Sequence, residues 1–246
     1  MKQKLLTLFA ALLCSMTMFA DGIKIGKLYY DIGNYDIDDP TALSAAVIPS
    51  EGEPYSGDIV IPSSVQYNGE TYAVTYISDD AFANSTGLTS IVVPNSVQVV
   101  GVAAFYHCTS LTSVSIGSGV RGIQESAFED CTALTDVTID SDIAIYGHHV
   151  FRDCTSLPVV DGIRYAGPYL VEVVDIAETY TIREGTKWIG EYAFCGQTPT
   201  WAYLHPLLGY EENIYNEEFQ HIPWIHLPST LKGIGDFAFF LLLLSS

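Results

Sequence analysis

Four phenylalanines, Phe82, Phe105, Phe128 and Phe151, stand 23 residues apart, and their surroundings repeat with them. Six residues after each comes Leu88, Leu111, Leu134 or Leu157, and nine after it Ile91, Val114, Val137 or Val160. Val93, Ile116 and Ile139 follow at eleven, and Cys108, Cys131 and Cys154 at three. Ile77, Val100, Ile123 and Tyr146 stand five residues before the Phe. Self-similarity at one fixed period of this length restricts the chain to a solenoid of stacked coils, because a single coil cannot bury its own apolar face. Helical repeats need roughly 33–47 residues per unit and are excluded.

Each coil has a physical reading. Leu-x-x-apolar-x-apolar alternates at its end, which suits a short strand with every second side chain inward. Stacking lines such strands into a parallel sheet spaced about 4.8 Å apart. The Phe marks the far side, where a short helical or irregular turn such as Ser78-Asp79-Asp80-Ala81-Phe82 inserts its ring between neighbours. Burial of each ring is worth roughly 1.5–3 kcal/mol. The outward positions of the strands are then Ser90 and Val92, Ser113 and Ser115, Asp136 and Thr138, and finally Val159 and Asp161.

The pattern Ile-x-x-x-Ala-Phe-x-x-Cys-x-x-Leu-x-x-Val-x-Ile, read almost without departure from Val100 to Ile116 and from Ile123 to Ile139, resembles the BspA-type (Treponema pallidum-like) leucine-rich repeat of bacterial secreted and surface proteins. The resemblance runs from about Asp58 to Phe239. It implies a β-rich α/β solenoid: a curved leucine-rich-repeat stack with a parallel sheet, about 23 residues per coil and an N-terminal β cap. It also implies an adhesion or binding role, without fixed binding residues to carry over.

The chain opens with Met1-Lys2-Gln3-Lys4 and an apolar run from Leu5 to Ala20, read as a secretory signal peptide over residues 1–20. The run is short for a membrane span and is closed by Asp21. A lipoprotein site at Cys14 competes, but Leu13 stands where a small residue is wanted. Loss of Lys2 and Lys4 would take the formal charge from −19 to −21. No basic stripe is present to displace counterions from nucleic acid, and anionic membrane is disfavoured on the same ground. A solvated acidic surface is the plain reading.

Residues 21–57 do not repeat and are expected to form the cap. Asp31, Asn34, Asp36, Asp38 and Asp39 crowd one loop there. Oxygen ligands of this kind suit calcium, although the spacing is not that of an EF-hand, and a solvated or structural acidic loop is the alternative. The stack is assigned to residues 58–246, with inserts near 66–73, 161–180 and 197–221. Tyr67-Asn68-Gly69-Glu70 has the Asn-Gly of a tight hairpin, and Asp161 to Val173 reads as a second hairpin projecting from the stack. The insert from Gln197 to His221 is aromatic and acidic, with Trp201, Tyr203, Tyr210 and Tyr215. Leu227-Pro228-Ser229-Thr230-Leu231 falls at the repeat position of Val93–Val97 and is read as coil, not as a sortase signal. The last coil starts at Gly235 and breaks off in Phe240 to Ser246, as expected of a truncated or frame-shifted chain with an exposed, sticky edge.

No catalytic, cofactor or metal motif is found. The six histidines form no HExxH, and the column of Cys108, Cys131 and Cys154 lacks the CxxC or paired His of a zinc site. Free structural thiols are expected, although neighbouring coils bring adjacent members near disulfide range. The candidate ligand contacts are therefore Ser90, Ser113, Ser115, Asp136 and Thr138 on the strand face, with Trp201, Tyr203, Tyr210 and Tyr215 in the insert. The reading is a secreted or cell-surface, non-enzymatic module binding an extracellular protein or glycan; the alternative is a cell-envelope scaffold or spacer with no ligand of its own.

Overall fold

The protein is described by a computed structural model over residues 22–140, 147–175, 177, 179–194, 224–235 and 238. The signal-like leader, Tyr146, Cys195, the aromatic insert and the C-terminal tail lie outside the described residues. The first strands are β1 (Ile23–Ile25), β2 (Leu28–Gly33), β3 (Ser44–Ile48), β4 (Ser56–Val60), β5 (Ser64–Tyr67) and β6 (Glu70–Ile77). The repeats contribute β7 (Gly87–Val93), β8 (Val99–Val100), β9 (Ser113–Ile116), β10 (Gly122–Ile123) and β11 (Asp136–Ile139). Then follow β12 (Val159–Val160), β13 (Ile163–Ala166), β14 (Tyr169–Val173), β15 (Thr179–Thr181), β16 (Trp188–Ile189), β17 (Trp224–His226) and β18 (Gly233–Ile234).

Two parallel ladders run through the repeats. In one, β4, β7, β9 and β11 lie side by side, with Ile91 opposite Val114 and Val114 opposite Val137. In the other, Ile77, Val100 and Ile123 are partners on β6, β8 and β10. Each step along either ladder is 23 residues, so the inward side chains of successive units fall on one another. β1, β2 and β3 meander antiparallel, and β3 joins β6 in parallel at the head of the second ladder. Asn68 and Gly69 take φ of 49° and 85°, as a two-residue hairpin between β5 and β6 requires.

The Phe turns are not helical, and no helix occurs among the described residues. Two residues before the Phe, Asp80, Ala103, Ser126 and His149 have φ between 52° and 58°. Two residues after it, Asn84, His107, Asp130 and Asp153 have φ between 56° and 61°. A left-handed residue on each side of the ring ends any right-handed turn before it can propagate. Instead the turns bond to one another. Asp80, Phe82 and Asn84 donate their N–H groups to Val102, Ala104 and Tyr106 of the next coil at 2.9, 2.7 and 2.8 Å. Ala103, Phe105 and His107 repeat this with Glu125, Ala127 and Glu129, and Ser126, Phe128 and Asp130 with His148, Val150 and Arg152.

This locks the rings into a column. Phe82, Phe105, Phe128 and Phe151 stack with centroids 4.8, 4.9 and 5.4 Å apart and planes within 9°. Tyr55 at one end and Tyr169 at the other close it with tilted rings. The Tyr55 hydroxyl donates to the Ile48 carbonyl at 2.8 Å, and burial pushes its pKa up to about 12. Beside the column, Cys108, Cys131 and Cys154 are free, buried thiols. Each donates to the carbonyl of the preceding coil's Phe, at 3.1, 3.2 and 3.0 Å. Hydrogen bonding with the Cys108 and Cys154 thiols, and burial, push the Cys131 pKa far up, so the middle thiol stays protonated.

The segment read as a projecting hairpin is instead built into the stack. β12, β13 and β14 form an antiparallel meander, and β14 continues in parallel with β16 and then β18. This captures Val159 and Val160, which leave the first ladder and are partly exposed instead of following Val137 inward. The first ladder ends at β11, where Gly167 of the meander sits so close that a Cβ on it would lie 2.5 Å from the Val137 carbonyl oxygen. β15 and β17 pair in parallel as a separate two-stranded sheet. The buried apolar residues accordingly divide into two clusters, one reaching to Tyr169 and one running from Ile163 to Ala238.

Candidate functional site

Alternation along β7, β9 and β11 buries Ile91, Val93, Val114, Ile116 and Val137 and turns the residues between them outward. The register then sets Ser90, Ser113 and Asp136 side by side, and Val92, Ser115 and Thr138 beside them, with no shift across the three strands. Five of the nine residues singled out in the sequence are thus brought together on one face. Trp201, Tyr203, Tyr210 and Tyr215 lie outside the described residues. Val159 and Asp161, expected to extend the rows, do not, because β12 pairs with β13.

Two residues at the head of the rows were not singled out. β4 places Asp58 opposite Ser90 and Val60 opposite Val92. Asp58 Oδ1 accepts from Ser90 Oγ and Thr89 Oγ1, both at 2.7 Å, and these bonds hold its carboxyl below the ordinary value. Val60 and Val92 are 70% and 40% exposed, so one row begins apolar and ends hydroxylated. The available signal was that Asp58-Ile59-Val60-Ile61 alternates as Ser90-Ile91-Val92-Val93 does. Along the edge of the face, Thr112 Oγ1 donates to the Thr89 carbonyl at 3.0 Å and Thr135 Oγ1 to that of Thr112 at 3.2 Å. The surface is rigid, with strands about 4.8 Å apart, and offers hydroxyl donors, carboxylate acceptors and a small apolar patch.

The acidic loop is a latch in this structure, its carboxylates taken up by protein donors. Asp36 Oδ1 accepts from the N–H groups of Asp38 and Asp39 and from Gln98 Nε2, while Ile37 N donates to Gln98 Oε1 at 2.8 Å. Asp38 takes both terminal nitrogens of Arg121, Asp39 caps Thr41, and Asp31 accepts from the Tyr35 hydroxyl. Partial burial pushes the Asp36 pKa up, but the Gln98 bond, the two N–H groups and the Arg121 charge outweigh it and the net shift is downward. The hydrogen bond from Arg121 lowers Asp38. The loop therefore ties the N-terminal strands to two successive coils. The histidines are likewise engaged: His107 Nδ1 meets Asp130 and His148 Nδ1 meets Glu191.

Among the described residues no helix is long and apolar enough to cross a membrane. No curated protein matches the chain. Among solved structures, a leucine-rich repeat protein from Bacteroides capillosus is similar at 29% identity over 57% of this chain and 97% of its own, with a TM-score of 0.47. The T. pallidum leucine-rich repeat protein is similar at 20% identity over 87% of this chain and 86% of its own, with a TM-score of 0.49. A leucine-rich cell surface protein from Faecalibacterium prausnitzii is similar at 18% identity over 89% of this chain and 73% of its own, with a TM-score of 0.41. The family described as the BspA type leucine-rich repeat region matches residues 75–200 in six copies, more than half of the chain. With its ring column, twin parallel ladders and six matched copies, the chain belongs to the BspA-type leucine-rich-repeat family.

Proposed function

We propose that the chain is a secreted or cell-surface binding module that does no chemistry of its own and contacts an extracellular protein or glycan through its strand face. In this reading the repeats form a curved solenoid of 23-residue coils, residues 21–57 cap its first coil, and Ser90, Ser113, Ser115, Asp136 and Thr138 touch the ligand. Trp201, Tyr203, Tyr210 and Tyr215 supply the aromatic anchors that the face lacks. The observation that carries the reading is the unbroken register of the outward rows, Ser90–Ser113–Asp136 and Val92–Ser115–Thr138, which presents repeated polar groups on a rigid surface. The signal-like leader and the family support an extracellular location.

The spacer alternative is favoured by one observation: the described part of the face carries no Trp, Tyr or Arg. An array of extracellular matrix proteins and glycans probed with the mature chain separates the two. A binding signal abolished by the paired substitution Ser113→Arg and Ser115→Arg, with unchanged circular dichroism, is the expected result. Absence of any signal would overturn the binding reading, and a signal that survives both substitutions but not removal of residues 197–221 would move the site to the insert.

A further inference from the structure

The hydrogen-bonded turns run out of partners at one place. In three successive coils the N–H groups two before, at and two after the Phe all donate to the next coil. In the fourth turn, His149 and Asp153 keep the same left-handed conformation, with φ of 58° and 61°, so the three donors face along the stack as before. Yet the N–H groups of His149, Phe151 and Asp153 have no acceptor among the described residues.

The cause is β14. Its Leu170 carbonyl accepts from Gly190 N as the Ile77 carbonyl accepts from Gly101 N, and its Val173 N donates to the Ala193 carbonyl as Phe82 N donates to that of Ala104. Three residues separate these points on β14, whereas five separate them in the repeat. Extended backbone covers about 3.3 Å per residue, so fewer residues span the gap, and the carbonyls of β14 fall out of phase with the waiting donors. Between them lies a cavity of about 80 Å³. His149 and Phe151 line one side, and Tyr169, Glu172, Glu191 and Tyr192 line the other.

We propose that this slot binds a hydroxyl-rich ligand, a saccharide. One wall offers backbone donors and demands an acceptor. The other carries the carboxylates of Glu172 and Glu191, which demand donors and repel an anion. An ammonium group answers the carboxylates but cannot accept from N–H, whereas a sugar hydroxyl does both. Tyr169 and Tyr192 add aromatic surface for the apolar faces of a sugar ring. Tyr192 also has φ of 54°, at the position filled by Asp80, Ala103 and Ser126 in earlier turns. A bulky aromatic held left-handed at a cavity wall is strain of the kind that marks binding sites. At about 30 Å³ per water, two or three waters fill the slot when it holds no ligand.

The inference rests on the reading of the chain as a binding module, but none of Ser90, Ser113, Ser115, Asp136 or Thr138 lines the slot. The test is a ¹⁵N-resolved NMR titration of the mature chain with free glucose, galactose, mannose and N-acetylglucosamine, and separately with inorganic phosphate. At least one sugar is expected to shift the His149, Phe151 and Asp153 amides together and saturably. Val171→Trp, which fills the slot, should remove that shift, and Glu172→Gln, which fills nothing, should weaken it several-fold. The proposal is overturned if none of the sugars moves the three amides, if phosphate moves them as well as any sugar does, or if Glu172→Gln leaves the titration unchanged. Shifts confined to Ser113 and Asp136 would overturn the slot and leave the strand-face reading standing.

Discussion

Phe128 shows how one residue carries the stack. Its ring is fully buried with a neighbour on each face, at 4.9 and 5.4 Å, its N–H bonds to the next coil, and its carbonyl accepts from Cys154. Phe128→Ala leaves a cavity between two rings that the hydrogen-bonded turns cannot close. It should cost about 3–5 kcal/mol in denaturant titration. A cost near 1 kcal/mol, the centre of ordinary point substitutions, would show that the rings are not a shared core. The period made Phe82, Phe105, Phe128 and Phe151 legible in the sequence, but not the terminal rings. Tyr55 and Tyr169 stand outside the frame and reach the column by chain paths of other lengths. Nor did the left-handed residues announce themselves. Asn84, Asp130 and Asp153 are types that tolerate that conformation, whereas Ala103, Ser126 and Tyr192 are held there by bonding between coils.

Among the elements, the latch of residues 36–39 gives the clearest pH dependence. The carboxyls of Asp36 and Asp38 have folded pKa values below their ordinary ones, so the folded state binds fewer protons than the unfolded chain. The stabilisation is complete above the ordinary carboxylate value of about 4 and is lost as pH falls through the lower folded values. Hydrogen exchange at the Ile37 amide should therefore accelerate, relative to its intrinsic rate, below that range. Arg121→Ala should produce the same opening at neutral pH while the Val114 and Val137 amides stay protected. Equal exchange at Ile37 in the variant and the parent would mean that the ion pair does not hold the loop. The acidity of the loop was plain in the sequence. Its partners were not, because Gln98 and Arg121 belong to coils far along the chain. The strand rows were legible for the opposite reason: alternation within a strand and a fixed period between strands place Ser90, Ser113 and Asp136 with no long-range information. The enlarged coil was visible as a break in the period, but a break does not say where the intervening strand docks. β14 enters the stack, takes Val159 and Val160 with it and ends the first ladder.

Over the whole molecule, the account treats the repeats as interchangeable rungs whose stability is a sum of units and their contacts. Excision of one period, residues 105–127, joins Ala104 to Phe128 and regenerates the Ala-Phe junction of the parent. Excision of half a period, from the same starting point, sets strand residues against turn residues. Urea unfolding of these two deletions, followed by circular dichroism and by the near-ultraviolet signal, is the most direct measurement. The whole-period deletion is predicted to unfold cooperatively with a slightly smaller dependence on denaturant, as expected for less buried surface, and the half-period deletion to show no cooperative transition. If both deletions behave alike, whether folded or unfolded, the repeat is not the unit from which this protein is built.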